Sequence, residues 1–250
     1  MSVDYFAEYP CSVRAAVSDG ELFRIETARR VADDAMAAMR GNPERHGWVA
    51  AQAIKITKSR GAVLGGLPGP PSEAVCVDDL SRYCRGCRAN PHGTAFGCGG
   101  TIQFPFTQAA ERWMLSRLPD DLGGPAGKLL VRVMGQQRFD GASIEFARER
   151  PEIFESSVAA ERTWRRFPLR RFTVSSSRII HMMLGSGDLQ PHQSRLVAYL
   201  LGYSNEKAEP LARTENAPGA SDDVTITELK HFLRAAAFAA ASRVTLLVDA

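Results

Sequence analysis

The chain has 250 residues, of which 44% are hydrophobic and 24% charged, and its formal net charge is only +3. This composition excludes an intrinsically disordered chain and is typical of a globular protein with a buried core. No apolar run approaches the roughly 20 residues that a membrane-spanning helix needs, and the first residues lack the apolar stretch of a secretory signal. We therefore expect a cytoplasmic protein that does not span a membrane.

Apolar residues recur at helical spacing through most of the chain. The predicted helices cover 21–40, 108–118, 125–137, 142–150, 151–166, 176–184 and 191–201. In contrast, 101–106 alternate apolar and polar side chains, the pattern of a half-buried strand. Pro105 predicts that this strand lies at a sheet edge, because proline cannot donate a hydrogen bond to a neighbouring strand.

The C-terminal part of the chain predicts one helix followed by one strand. Thr225 and Glu228 have the spacing of a capping box at a helix N-terminus, and a clean apolar stripe follows them. The run "RVTLLV" then predicts a short buried strand. Together these patterns predict an α+β fold, predominantly α-helical, with a small sheet and a cysteine-bound metal module.

Composition divides the chain into three predicted parts. The first is an α-rich domain over 1–203, which contains the metal module at 72–106. Residues 204–223 carry almost no large apolar side chain and predict a linker or mobile loop. Residues 224–250 form a helix–strand element that we expect to pack on the main domain.

The cysteines of the metal module have the spacing of a metal site. Cys84 and Cys87 are separated by two residues, so that one tight turn directs both sulfurs at a single ion, and the glycine between them permits that turn. We expect Cys98 to be the third ligand and Cys76 the fourth, with His92 as the possible substitute for Cys76. Because cytoplasmic thiols stay reduced, clustered cysteines favour a metal over disulfides.

Two metals and one metal-free state are compatible with these cysteines. Four thiolates suit zinc in a closed tetrahedral structural site, and an iron–sulfur cluster is also held by four cysteines. Reduced cysteines without metal would be buried as small hydrophobic residues. We favour zinc and keep the iron–sulfur cluster as the alternative.

The segment 162–178, "RTWRRFPLRRFTVSSSR", contains six arginines and no acidic residue. The arginines are Arg162, Arg165, Arg166, Arg170, Arg171 and Arg178. Trp164, Phe167 and Phe172 lie among them, and arginine beside aromatic rings is the composition that binds phosphates and stacks bases. The segment therefore predicts a surface for nucleic acid or for an acidic protein partner, unless it is a solvated face whose aromatic side chains point into the core.

The sequence contains no short catalytic motif. There is no H-E-x-x-H, and no H-x-E accompanies the paired cysteines as it does in nucleobase deaminases. We therefore expect a non-catalytic interaction or regulatory protein with structural zinc and an arginine surface for an anionic partner. The alternatives are an iron–sulfur protein that senses redox state or transfers electrons, and an enzyme whose site leaves no short motif.

Overall fold

The computed structural model describes residues 2–16, 18, 20, 84, 86–90, 97–135, 139–166, 170–185 and 187–249. The chain forms two compact units, one made of 1–9 and 98–250 and the other of 10–97. The described strands and longer helices are β1 (Ser2–Ala7), α1 (Ser12–Ala16), β2 (Gly99–Gln103), α2 (Gln108–Ser116), α3 (Pro125–Gly135), α4 (Ala142–Ala147), β3 (Glu161–Arg166), β4 (Arg170–Ser175), α5 (Ser176–Leu184), α6 (Pro191–Leu200), α7 (Val224–Ser242) and β5 (Leu246–Asp249). The helix predicted over 21–40 lies outside the described residues.

Two small antiparallel sheets accompany the described helices, which confirms the predicted α+β class. The first sheet has the strand order β2-β1-β5, and the second is the hairpin of β3 and β4. The first sheet packs against α7, where the ring of Tyr5 meets that of Phe232 edge-on at 5.1 Å. Its strand β2 is an edge strand, as Pro105 predicted. Among the described helices, none has both the length and the apolar character needed to cross a bilayer.

Most of the predicted helices in the described part of the chain are confirmed. Helices α2 to α6 match the predictions over 108–118, 125–137, 142–150, 176–184 and 191–201. Their starts follow local rules: Pro125 and Pro191 occupy first helical positions, where proline has no hydrogen bond to lose. The predicted C-terminal helix and strand are also present as α7 and β5.

The helix predicted over 151–166 is wrong. Residues 151–160 form turns, and 161–166 form the strand β3, which pairs with β4. Along β3 the side chains alternate, with Trp164 buried and Thr163 exposed. The residues that stabilise the strand lie opposite in β4, where Trp164 is paired with Phe172. A segment of β3 alone shows apolar spacing but not this partner.

The predicted capping box at the start of α7 is also wrong. The N-cap is Asp223, two residues earlier than Thr225, and its Oδ1 accepts a hydrogen bond from the Ile226 N–H at 2.7 Å. The carboxylate of Glu228 instead accepts from the Gln103 N–H at 2.7 Å. Glu228 thus ties α7 to the edge strand β2, a use that local spacing does not reveal.

Residues 204–223, predicted to be a linker, are fastened to the helices at two points. The buried Asn216 donates to the carbonyls of Gly202 and Leu211, and its Oδ1 accepts from Arg117 at 2.7 Å. Lys230 of α7 binds Asp222 at 2.8 Å. Burial alone would raise the pKa of Asp222, but hydrogen bonds from Lys230 and the Gly219 N–H hold this pKa below its ordinary value.

A buried ion pair lies at the junction of three helices. Arg148 at the end of α4 donates from Nη1 to Oε1 of Glu111 in α2 at 2.7 Å, and their side chains are 1% and 0% exposed. The remaining guanidinium donors reach Ser177 Oγ at 2.7 Å, Ser176 Oγ at 3.0 Å and the Ser156 carbonyl at 3.2 Å. Each nitrogen of the guanidinium therefore has a partner inside the protein.

The carboxylate of Glu111 is equally well satisfied. Its Oε2 accepts from Ser176 Oγ at 2.6 Å and from the Ala160 N–H at 3.1 Å. The guanidinium of Arg148 also lies 4.4 Å from the centre of the Phe154 ring. A buried charge pair in which every group is bonded has no open position for a substrate, so we assign this network a structural role.

Removing one member of this pair should destabilise the fold strongly. We expect Arg148→Ala to lower the free energy of unfolding by about 3–5 kcal/mol, because it leaves the Glu111 carboxylate buried without its counter-charge. The double variant Glu111→Leu, Arg148→Met buries no charge and should lose less. Urea unfolding measures both. The exposed Arg150→Ala is the control, with an expected change of at most about 0.5 kcal/mol; equal losses for Arg148→Ala and Arg150→Ala would contradict the assigned role.

Candidate functional site

The two cysteines predicted to share a turn do so. The Cys87 N–H donates to the Cys84 carbonyl at 3.3 Å, and Asn90 closes the next turn by donating from Nδ2 to the same carbonyl at 3.0 Å. Gly86 has φ +73°, a left-handed conformation that favours glycine. Glycine in this turn is therefore required by the backbone, as the sequence predicted.

The metal site itself stays a prediction. The described cysteines, Cys11, Cys84, Cys87 and Cys98, form no disulfide. Within the described residues, no three histidine, cysteine or acidic side chains form a group that could hold a metal ion. Cys76 and His92, the two candidates for the fourth ligand, lie outside those residues.

The glycines after Cys98 have a role in the sheet. A Cβ at Gly99 would lie 2.4 Å from the ring of Phe6, and one at Gly100 would lie 2.5 Å from the hydroxyl of Tyr5. Both aromatic residues belong to β1, which pairs with β2. The glycine pair therefore accommodates aromatic side chains of the neighbouring strand.

Two of the six predicted contact arginines are bonded within the chain. Arg162 Nη1 donates to the carbonyls of Leu115 and Leu118 at 2.9 and 2.7 Å, and its Nη2 binds Asp120. Arginine at this position satisfies carbonyls that the end of α2 leaves without helical partners.

Arg178 makes the same kind of contact beyond the end of α3. Its Nε donates to the Phe139 carbonyl at 2.7 Å, and its Nη2 donates to the Met134 carbonyl. Arg162 and Arg178 thus stabilise helix ends, and their guanidinium groups already have partners.

The described aromatic residues of the hairpin face the interior. Trp164 is buried, its Nε1 donates to the Pro119 carbonyl at 3.0 Å, and Phe172 packs against the core. The two rings lie 5.7 Å apart. Stacking of nucleobases on Trp164, one of the possibilities that the sequence raised, is therefore blocked by the fold.

The opposite face of the hairpin presents arginines to solvent. Arg165 and Arg171 are exposed and directly opposed across the two strands. Next to them on this face, the hydroxyls of Thr163 and Thr173 lie 2.9 Å apart. Like charges at directly opposed positions destabilise a strand pair, and neither Arg165 nor Arg171 forms an ion pair with a described residue.

A second arginine pair follows the first along the ladder. The backbones of Arg166 and Arg170 are opposed in the register immediately after Arg165 and Arg171. Successive residues of a strand point to opposite faces, so the two pairs concentrate positive charge at one end of the two-stranded ribbon. We call these four residues the arginine ribbon.

The Glu228–His231 spacing on α7 does not mark a catalytic pair. Glu228 is bonded to the backbone of β2. Burial, with the neighbouring positive charge of Arg234, lowers the pKa of His231 below its ordinary value, so the imidazole is neutral at physiological pH.

Comparisons with known proteins do not assign a function to any of these features. No family model, no curated protein and no solved structure matches the chain. The functional interpretation therefore depends on the geometry and charge of the chain's own residues.

Proposed function

We propose that this protein is a non-catalytic binding protein that holds nucleic acid through its arginine ribbon, Arg165, Arg166, Arg170 and Arg171. The observation that carries the proposal is the pairing of like charges at two successive positions of the ladder. Such pairing costs stability in the free protein. A polyanion bound across the ribbon would offset this cost, because each guanidinium can donate two parallel hydrogen bonds to a phosphate.

Nucleic acid suits this surface better than an acidic protein does. An antiparallel ribbon of two strands has dimensions that the major groove of a duplex admits. Arg165 and Arg171 occupy one face of such a ribbon, and the alternating Thr163 and Thr173 add hydroxyl groups there. With the buried Trp164 withdrawn from base stacking, the surface can contact phosphates and groove edges, and we expect weak sequence preference.

Loss of the exposed arginine pair should reduce the salt dependence of DNA binding. For Arg165→Ala, Arg171→Ala, we expect the slope of log K against log salt to fall by about 1.4 to 1.8, because each lost phosphate contact removes about 0.7 to 0.9. Reversal of all four arginines to glutamate should abolish binding. Fluorescence anisotropy of a labelled DNA duplex, titrated at several KCl concentrations, measures both effects.

The matched control removes two other exposed arginines, Arg132 and Arg150, which lie outside the hairpin. Arg132→Ala, Arg150→Ala changes the net charge equally and should keep the wild-type slope. A wild-type protein without salt-dependent DNA binding would refute the proposal. Binding to polyglutamate but not to DNA would instead identify an acidic protein as the partner.

The second part of the proposal is a structural zinc ion bound by Cys84, Cys87, Cys98 and either Cys76 or His92. What supports it is the tight turn of Cys84 and Cys87 around the left-handed Gly86. Bound zinc would order a loop region rich in glycine and poor in apolar residues, because metal binding in such segments stabilises the folded state. The alternative is an iron–sulfur cluster on the same cysteines.

Elemental analysis of protein purified without air tests the zinc proposal. We expect colourless protein with about one zinc per chain, as a single four-coordinate site requires. Cys84→Ser, Cys87→Ser should lose the zinc, whereas Cys11→Ser should retain it. Brown protein with stoichiometric iron and sulfide would replace zinc with the cluster, and protein without metal would refute both.

A further inference from the structure

A positively charged cleft of about 410 Å³ opens where the start of α6, residues 207–210 and the end of α7 meet. Three cations and one carboxylate line it: Arg195, Lys207 and Arg243 against Glu209. The imidazole of His192 lies on the same wall. The lining therefore carries an excess of two positive charges, and we call it the cationic cleft.

Two of the three cations have no partner among the described residues. Neither the Lys207 ammonium nor the Arg243 guanidinium forms an ion pair there. Arg195 is held in place because its Nη2 donates to the Glu206 carbonyl, and Glu209 Oε2 accepts from Asn205 at 2.6 Å. Lys207 and Arg243 are thus available to an anion that enters the cleft.

The backbone is strained on two sides of the same cleft. Ala208 has φ 63° and Arg243 has φ 57°, and these are the non-glycine residues with positive φ in the described part of the chain. Arg243 occupies the C-cap of α7, a left-handed position that favours glycine. Conformations that cost residues with a Cβ concentrate at binding sites, where the surrounding structure holds them.

A second cleft of about 440 Å³ shares His192 and Arg195 with the first. Its other walls are mainly apolar and include Leu129, Leu196 and Tyr199. The Tyr199 hydroxyl donates to Glu206 at 3.1 Å. Burial and then this contact raise the pKa of Tyr199, so its phenol stays neutral. The shared wall therefore joins a charged compartment to an apolar one.

We propose that the two clefts form one binding site for a small phosphate monoester with an aromatic body. The phosphate binds in the cationic cleft between Lys207 and Arg243, and the body lies against Leu196 and Tyr199. This function is independent of the arginine ribbon.

Charge and size both favour this class of ligand. A phosphate monoester carries about −1.5 to −2 charges at neutral pH, which matches the excess of two positive charges on the lining. The start of α6 adds the partial positive charge of a helix N-terminus beside His192. The volume of each cleft lies within the roughly 300–1,000 Å³ of small-molecule sites.

Isothermal titration calorimetry with adenosine monophosphate tests the site, with inorganic phosphate and adenosine as the two fragments. We expect the nucleotide to bind more tightly than either fragment. Lys207→Ala, Arg243→Asn should weaken nucleotide binding by about tenfold or more, because two charge-assisted contacts are lost. Tyr199→Ala should reduce nucleotide affinity towards that of phosphate. Asparagine tolerates the left-handed backbone at 243, and Lys207→Ala alone repeats the test without touching that position.

The control is Arg165→Ala, Arg171→Ala, which removes the same charge from the arginine ribbon and should leave nucleotide affinity unchanged. This control also separates the two proposals, since each predicts an effect of one pair only. No nucleotide binding by the wild type, or equal losses in both double variants, would overturn the cleft proposal. Phosphate that binds as tightly as the nucleotide would overturn the role of the apolar compartment.

Discussion

The buried pair of Glu111 and Arg148 is the constraint on which the functional end of the molecule depends. The carboxylate of Glu111 binds the Ala160 N–H immediately before β3 and the Ser176 hydroxyl immediately after β4. The Ser176 N–H closes the same junction by donating to the Ala160 carbonyl at 2.8 Å. One carboxylate thus holds both ends of the hairpin, and a two-stranded ribbon needs such support because it is only marginally stable alone.

The arginines of this chain fall into groups with different physical roles. The sequence contains 26 arginines and only five lysines, and Arg148, Arg162 and Arg178 use their several donors to satisfy a buried carboxylate or helix-end carbonyls. Lysine has no planar fork to make these simultaneous contacts. Arg165 and Arg171 are exposed on the ribbon instead. Arginine content alone therefore overstates the surface available for binding.

The two proposed binding surfaces differ in shape, and their shapes suit different anions. The arginine ribbon is a narrow two-stranded element with charges at successive ladder positions, which matches the repeated phosphates of an extended polymer. The cationic cleft is a concave compartment whose cations come from α6, α7 and the segment between them. A concave site selects a small ligand, because a continuous polymer has to enter and leave it.

The sequence by itself determined the features whose causes lie within a few residues of each other. It predicted α2 to α7, the edge strand before Pro105 and the left-handed glycine between Cys84 and Cys87, because helical period, strand alternation and turn conformation are local. A signal for Glu111 was also present, since this acidic residue shares the apolar face of α2 with Met114 and Leu115. Its partner was not predictable, because Arg148 lies 37 residues away.

Only the tertiary structure decided which charged residues face solvent. Arg162 and Arg165 look alike in the sequence, yet Arg162 reaches the Leu115 carbonyl across 47 residues, while Arg165 is exposed beside Arg171. The cationic cleft likewise joins Arg195, Lys207 and Arg243 from separate elements. The role of a long charged side chain depends on the groups that the fold places around it, and spacing along the chain does not specify those groups.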